Sequence, residues 1–153
     1  PAPADTALEL RSFDTPSDPD DILVRLDSAL ASDDDEAITD YLLDLEDRGG
    51  EIAVRGMGIM IDRALDEEIK LDAISSLAMM EDEDVRAPLL RALDDRSEDV
   101  RIAALEVIAD SEMFDLLTIL RLRKNRESNE ATLEALSETI EELQYIQNLE
   151  EGS

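Results

Sequence analysis

The chain has 153 residues, of which 43% are hydrophobic and 3% aromatic, and its 41 Asp and Glu against 14 Lys and Arg give a formal net charge of −27. It contains no Cys and no His, which excludes thiol nucleophiles, disulfides and the usual zinc sites. Few aromatic residues, five Gly and five Pro favour a helical aliphatic core over a sheet.

The net charge has three candidate explanations: adaptation to molar salt, intrinsic disorder and mimicry of nucleic acid. In molar salt the Debye length is about 3 Å, so self-repulsion is screened. Disorder conflicts with the regular apolar periodicity of the chain. Because the acidic residues are spread along the whole sequence and Lys is scarce, the composition is typical of haloarchaeal and other halophilic proteins, and we favour salt adaptation over mimicry.

No apolar run is long enough for a membrane span, and no leader with a basic flank and an apolar stretch is visible. We therefore expect a cytoplasmic protein that does not enter membranes.

Residues 1–18 hold three of the five Pro together with Ser, Thr and Asp, which predicts an N-terminal arm rather than a core element. The arm carries an apolar cluster of Leu8, Leu10 and Phe13. It is expected to be either flexible or packed on a neighbour, and in the second case it would support self-association.

From Pro19 onward the apolar spacing predicts a repeat domain over residues 19–149, followed by a tail over 150–153. The expected helical hairpins lie at about 19–48, 51–80, 83–110 and 112–149. Residues 51–80 are compatible with two helices or with one kinked helix.

Two features inside these helices call for an explanation. Gly56 and Gly58 each cost about 1 kcal/mol relative to Ala in a helix, which indicates a close helix approach or a kink. Four methionines are interpreted as core residues, with an adaptable binding groove as the alternative. They are Met57, Met60, Met79 and Met80.

Three apolar columns recur at a constant interval of 31 residues in the second helix of each hairpin. They are Ile38, Ile69, Val100 and Ala131; Leu42, Ala73, Ala104 and Ala135; and Leu43, Ile74, Leu105 and Leu136. One hairpin of this size cannot bury its apolar face alone, whereas four stacked hairpins can.

The sequence over residues 87–105, APLLRALDDRSEDVRIAAL, resembles a HEAT repeat of the short type named after phycobilisome lyases. The resemblance is specific over 83–110, weaker over 51–80 and 112–143, and weakest over 20–48. We therefore predict an all-α fold, a short right-handed α-solenoid of about four HEAT-like helical hairpins.

The same resemblance implies that Asp95 and Arg101 belong to a ladder that links successive repeats. Lys70, Thr39 and Thr132 occupy the position of Arg101 in the other hairpins, which indicates an incomplete ladder.

Two sets of residues are candidates for partner binding. The first is a dense cationic cluster at the end of the seventh helix, where cations also complement the helix dipole. It consists of Arg121, Arg123, Lys124 and Arg126. The second set is polar positions on the second helices, chosen by helical phase. It consists of Asp40, Asp72, Ser76, Glu106, Glu134 and Glu138.

Two acidic runs, at residues 33–36 and 81–84, lack the EF-hand spacing and are interpreted as helix caps and solvated surface. No metal site, cofactor site or catalytic constellation is expected, and the chain is not expected to be an enzyme.

Because HEAT-like solenoids typically bind proteins, the resemblance implies a non-catalytic adaptor or scaffold that binds another protein, through the concave helical face or the basic patch. The composition adds the expectation that it works at high salt. One alternative is a subunit or accessory factor of a larger nucleoprotein complex, and another is an acidic mimic of nucleic acid. A lyase-like cofactor-attachment protein is a remote alternative. Binding of free nucleic acid is not expected, because phosphate binding needs a basic surface.

Overall fold

The computed structural model describes residues 19–152, with side chains from Asp21 onward, and its regular elements in that range are all helical. The N-terminal arm and its apolar cluster lie outside the described residues. The helices are α1 (Pro19–Ala31), α2 (Asp35–Arg48), α3 (Gly50–Arg63), α4 (Glu67–Ala78), α5 (Arg86–Ala92), α6 (Glu98–Asp110), α7 (Leu117–Lys124) and α8 (Glu130–Glu151). The predicted all-α fold is confirmed.

These helices pack in series in two layers. In the first layer α1 contacts α3 and α3 contacts α5, and in the second layer α2, α4, α6 and α8 make consecutive contacts. Each hairpin pairs one helix of each layer: α1 with α2, α3 with α4, α5 with α6, and α7 with α8. The arrangement is solenoid-like, with one aliphatic core between the layers.

Each second-layer helix begins at a residue whose side chain accepts a backbone N–H of the first turn. Such a cap stabilises a helix by about 1 kcal/mol. The pairs are Asp34 with Ala37, Asp66 with Glu68, Ser97 with Val100, and Asn129 with Thr132. The four caps lie 32, 31 and 32 residues apart, so the repeat is longer at both ends of the chain than in the middle.

In the first hairpin the constant interval of 31 holds for two of the three columns, since Ile38 and Leu42 are buried like Ile69 and Ala73, and it fails for the third. Leu43 was expected in a core column, but 54% of it is exposed, whereas Leu42 is buried. An interval of 32 places Leu42 opposite Ile74, which is also buried. One residue of shift rotates a helix by about 100°, which is enough to move Leu43 from the core to the surface.

The last hairpin also departs from the interval of 31 residues. Ala131 is only half-buried, while Thr132 is 2% exposed and takes the place of Val100. Leu136 is buried, because an interval of 32 aligns it with Ala104.

Residues 51–80 form two helices, since Ala64 has an extended backbone and Asp66 caps α4. The first helices of the last two hairpins are shorter than expected. Asp84 accepts the Arg86 N–H at 3.1 Å and so starts α5 three residues late. Glu112 has a φ of +51°, and a single 3₁₀ turn, Phe114–Leu116, then precedes α7. At the other end, α8 continues to Glu151, into the predicted tail.

Close helix approach accounts for the two glycines of α3. A Cβ atom at Gly56 would collide with the Leu45 side chain of α2. A Cβ atom at Gly58 would lie 2.6 Å from Nη2 of Arg91 and 3.4 Å from Cβ of Pro88, both in α5. The first glycine thus lets α3 approach α2, and the second lets it approach α5.

Candidate interaction surface

The cationic cluster at the end of α7 divides into two pairs. Arg123 donates to both carboxylate oxygens of Asp94, at 2.7 and 3.1 Å, and Arg121 donates to the side-chain carbonyl of Gln144. These two arginines hold α7 against its neighbours. Lys124 and Arg126 are exposed and form no ion pair within residues 21–152.

Arg123 also determines the ionisation of its partner. The hydrogen bond from the guanidinium and its positive charge lower the pKa of Asp94 below the ordinary value, against a smaller opposing effect of burial. Asp94 therefore remains a carboxylate and a partner for Arg123 into moderately acidic solution.

Arg123–Asp94 belongs to a series of ion pairs along the first layer. In each pair, an arginine near the end of one first-layer helix reaches an aspartate in or just after the preceding one. The pairs are Arg63–Asp27, Arg91–Asp62 and Arg123–Asp94. Sequence reasoning missed this series, although the last two pairs share an interval of 29 residues. Because the pairs are substantially exposed, each contributes at most about 1 kcal/mol.

The second layer contains a buried ion pair. Nζ of Lys70 lies 2.6 Å from Oδ2 of Asp95, and the two side chains are only 8% and 9% exposed. The other carboxylate oxygen of Asp95 accepts the Ser97 N–H at 2.9 Å. Asp95 thus joins the third hairpin to the second and also shapes the turn before α6.

Arg101 makes the next connection along the stack. Its Nη1 donates to the carbonyl oxygens of Asp95 and Arg96, at 2.8 and 3.0 Å, within its own hairpin. Its Nε donates to Oγ1 of Thr132 in the last hairpin, at 3.0 Å. Asp95 and Arg101 therefore each contact a neighbouring repeat, but the carboxylate of Asp95 is paired with Lys70 rather than with Arg101.

The polar positions expected to bind a partner are exposed on the second layer, with one exception. The exposed ones are Asp40, Asp72, Glu106, Glu134 and Glu138. Ser76 is only 7% exposed, and its hydroxyl lies between the Glu46 carboxylate and the Asp72 carbonyl oxygen. The expectation that Ser76 is a surface contact is corrected, because this residue links α4 to α2 inside the layer.

An open depression of about 360 Å³, here named the α2–α4 groove, runs between these two helices on the exposed side of the second layer. It is lined by Thr39, Leu42, Leu43, Glu46, Asp72, Ser75, Ser76 and Met79. Met57 and Met60 are fully buried as expected, but Met79 is 82% exposed and the expectation that it fills the core is wrong. With Leu43 it gives the groove two exposed large apolar side chains.

A second cleft, of about 500 Å³, shares Glu46, Ser76 and Met79 with the groove and extends it toward the turn after α4. Five carboxylates and no cation line the two depressions within the described part of the chain. The acids are Glu46, Asp72, Glu81, Asp82 and Glu83. The combined surface is apolar at its centre and anionic at its edges.

The first acidic run supplies a helix cap, Asp34 of α2, whereas in the second Asp84 accepts the first N–H of α5 but the N-cap position, Val85, has no side-chain cap. Desolvation, with the charges of Asp33, Asp66 and Asp34, raises the pKa of Asp35. No group of acidic residues within the described ranges has the arrangement of a metal site.

Among the helices between residues 19 and 152, none is both long and apolar enough to cross a membrane. The chain matches no family model, no curated protein and no solved structure.

Proposed function

We propose that this protein is a non-catalytic, HEAT-like adaptor or scaffold that binds another protein through the exposed face of its second-layer helices. The observation that carries the proposal is the makeup of that face. It presents four exposed large apolar side chains among polar residues, Leu43 and Met79 in the α2–α4 groove and Tyr145 and Leu149 on α8, and apolar side chains left exposed within a polar rim are a feature of protein interaction sites.

The second-layer face supports the proposal better than the cationic cluster does. Arg121 and Arg123 are engaged within the molecule, so only Lys124 and Arg126 remain to meet an acidic partner or a phosphate. Nucleic-acid backbones are usually bound by several cations, and two are too few to offset a net charge of −27.

The proposed working environment is molar salt. At a Debye length of about 3 Å, charges on the face act only on groups in direct contact, and affinity comes from apolar burial and shape. An apolar groove is therefore the part of this surface that retains its affinity at high salt.

Site-specific photo-crosslinking tests the proposal. A benzoylphenylalanine at Glu138 (α8, second layer) would be compared with one at Val24 (α1, first layer), both at exposed positions. In lysate of the source cells at about 2 M KCl, we expect the Glu138 probe to capture a defined protein that the Val24 probe does not. Equal capture by both probes, or recovery of nucleic acid alone, would overturn the proposal.

A further inference from the structure

The outer side of α7 has the opposite chemical character to the α2–α4 groove. Ile119 and Leu122 are 39% and 54% exposed, and Arg126 follows in the turn after the helix. Their side chains stand beside an open depression of about 460 Å³ that Leu93, Asp94, Arg123 and Glu127 also line. With Lys124 beside them they form the α7 ridge, which is apolar at its centre and cationic at its end.

The acids next to the ridge are already engaged. Asp94 is paired with Arg123, and the Glu127 carboxylate accepts the Asn129 N–H at 2.8 Å. Neither acid forms an ion pair with Lys124 or Arg126 within residues 21–152, so these two exposed cations can contact an external partner.

The α2–α4 groove has the chemical features that complement the α7 ridge. Leu43 and Met79 are its exposed apolar centre, and Glu46 and Asp72 stand beside them. Methionine is unbranched and flexible, so Met79 can adapt to an inserted Ile or Leu side chain. Neither cation of the same two helices, Lys70 or Arg48, lines the groove, and Lys70 is buried against Asp95.

We propose that copies of this chain associate head to tail, with the α7 ridge of one copy seated in the α2–α4 groove of the next. The two surfaces lie at opposite ends of the stack, in the fourth hairpin and in the first two hairpins. A contact between different surfaces is heterologous, and unless its rotation closes a ring it extends into an open chain of copies.

This inference goes beyond the proposed function. It assigns the α2–α4 part of the second-layer face to a second copy and leaves the α6–α8 part to the other protein, where Tyr145 and Leu149 are 65% and 54% exposed along the same side of α8 as Glu138. An assembly of several copies would present that part repeatedly and so bind a multivalent partner with higher avidity.

The salt concentration determines whether association of the copies is favourable. Two chains of charge −27 repel each other in dilute buffer, whereas at high salt this repulsion is screened and the apolar contact remains. Direct contacts of Lys124 and Arg126 with Asp72 and Glu46 determine which surfaces meet. Association is therefore expected to strengthen as KCl is raised, whereas a contact made of ion pairs alone would weaken.

Sedimentation velocity on the purified full chain tests the proposal, from about 10 µM to about 1 mM protein and from dilute buffer to about 2 M KCl. We expect oligomers that grow with protein and KCl concentration. Met79→Ser removes the centre of the groove, Leu122→Ser removes the centre of the ridge, and each variant alone is expected to remain monomeric. Val24→Ser, at a 66% exposed residue of α1, is the matched control and should assemble like the unmodified chain.

Mixing the two variants provides the decisive result. Met79→Ser retains an intact ridge and Leu122→Ser an intact groove, so an equimolar mixture should form 1:1 heterodimers and nothing larger. An unmodified chain that stays monomeric at high KCl, a variant that assembles alone, or a mixture that stays monomeric would each overturn the proposal. Circular dichroism confirms that the variants are folded. Capture at Glu138 is a separate measurement, so failure of self-association and failure of the adaptor function remain distinguishable.

Discussion

Gly56 and Gly58 are separated by one residue on α3, yet their neighbours differ. Gly56 faces the buried side chain of Leu45, and Gly58 faces the end of the long Arg91 side chain. The Cβ of Gly56→Ala would collide with the side chain of Leu45, which is fully buried in the core. Overpacking of this kind costs about 1–3 kcal/mol. The Cβ of Gly58→Ala would meet the flexible end of Arg91, and the gain of about 1 kcal/mol in helix propensity offsets that contact.

Urea unfolding at high KCl should show a clearly lower free energy of unfolding for Gly56→Ala and a change of at most about 1 kcal/mol for Gly58→Ala. Equal losses for both variants would contradict this explanation of the close approach of α2 and α3.

The ion pair of Lys70 and Asp95 is the other residue-scale feature with a measurable cost. Lys70→Met preserves side-chain volume but leaves the buried Asp95 carboxylate with only the Ser97 N–H as a partner. We expect a loss of about 3 kcal/mol, because an unpaired buried charge is strongly destabilising. The matched variant Arg123→Met breaks an exposed pair and should cost less than about 1 kcal/mol.

Unfolding curves at low and high KCl check both values. The Lys70→Met loss should persist in salt, since a buried pair is screened far less than an exposed one. A loss that disappears in salt would place Lys70 and Asp95 in contact with solvent.

At the scale of the helices, the sequence predicted the number and order of elements, because apolar spacing and turn residues recur along the chain. It did not predict which of the adjacent residues Leu42 and Leu43 faces the core, since both are leucine and the spacing tolerates either. The caps Asp34 and Asn129 carry that information: measured from the caps, the interval is 32 and Leu43 lies outside. The sequence did not predict the α2–α4 groove or the α7 ridge, because both surfaces depend on how separate helices are oriented relative to one another.

The ion pairs of the first layer connect successive helices. The pKa of Asp94 is a measurable indicator of one of them, the pair with Arg123. Its lowered pKa means that the pair with Arg123 stabilises the folded chain above the ordinary pKa of an aspartate, and that this contribution is lost as the pH falls through the lowered value. In Arg123→Gln the NMR titration midpoint of the Asp94 carboxyl should rise, and the stability difference from the unmodified chain should shrink in acid.

Arg25→Gln is the control, because Arg25 pairs with Asp21 at the other end of the stack and should leave the Asp94 midpoint unchanged. If the Asp94 midpoint were equal with and without Arg123, the ion pair would not exist in solution.

For the molecule as a whole, the net charge of −27 opposes the compaction that the aliphatic core drives. Asp35 is a local example of this repulsion. Its pKa is raised by desolvation and by the negative charges of Asp33, Asp66 and Asp34. Circular dichroism should show low helicity in dilute buffer and a cooperative gain as KCl is raised to about 1 M, where the Debye length is about 3 Å.

Sucrose at matched osmolality separates screening from a general strengthening of burial, since sucrose is excluded from protein surfaces but screens no charge. KCl should restore helicity at concentrations where sucrose restores much less. Asp35→Asn removes one of the crowded carboxylates, so it should raise the melting temperature in dilute buffer and have little effect in high KCl. Full helicity of the unmodified chain in dilute buffer would instead show that the core outweighs the repulsion without help from salt, and the interpretation of the acidic composition as salt adaptation would then fail.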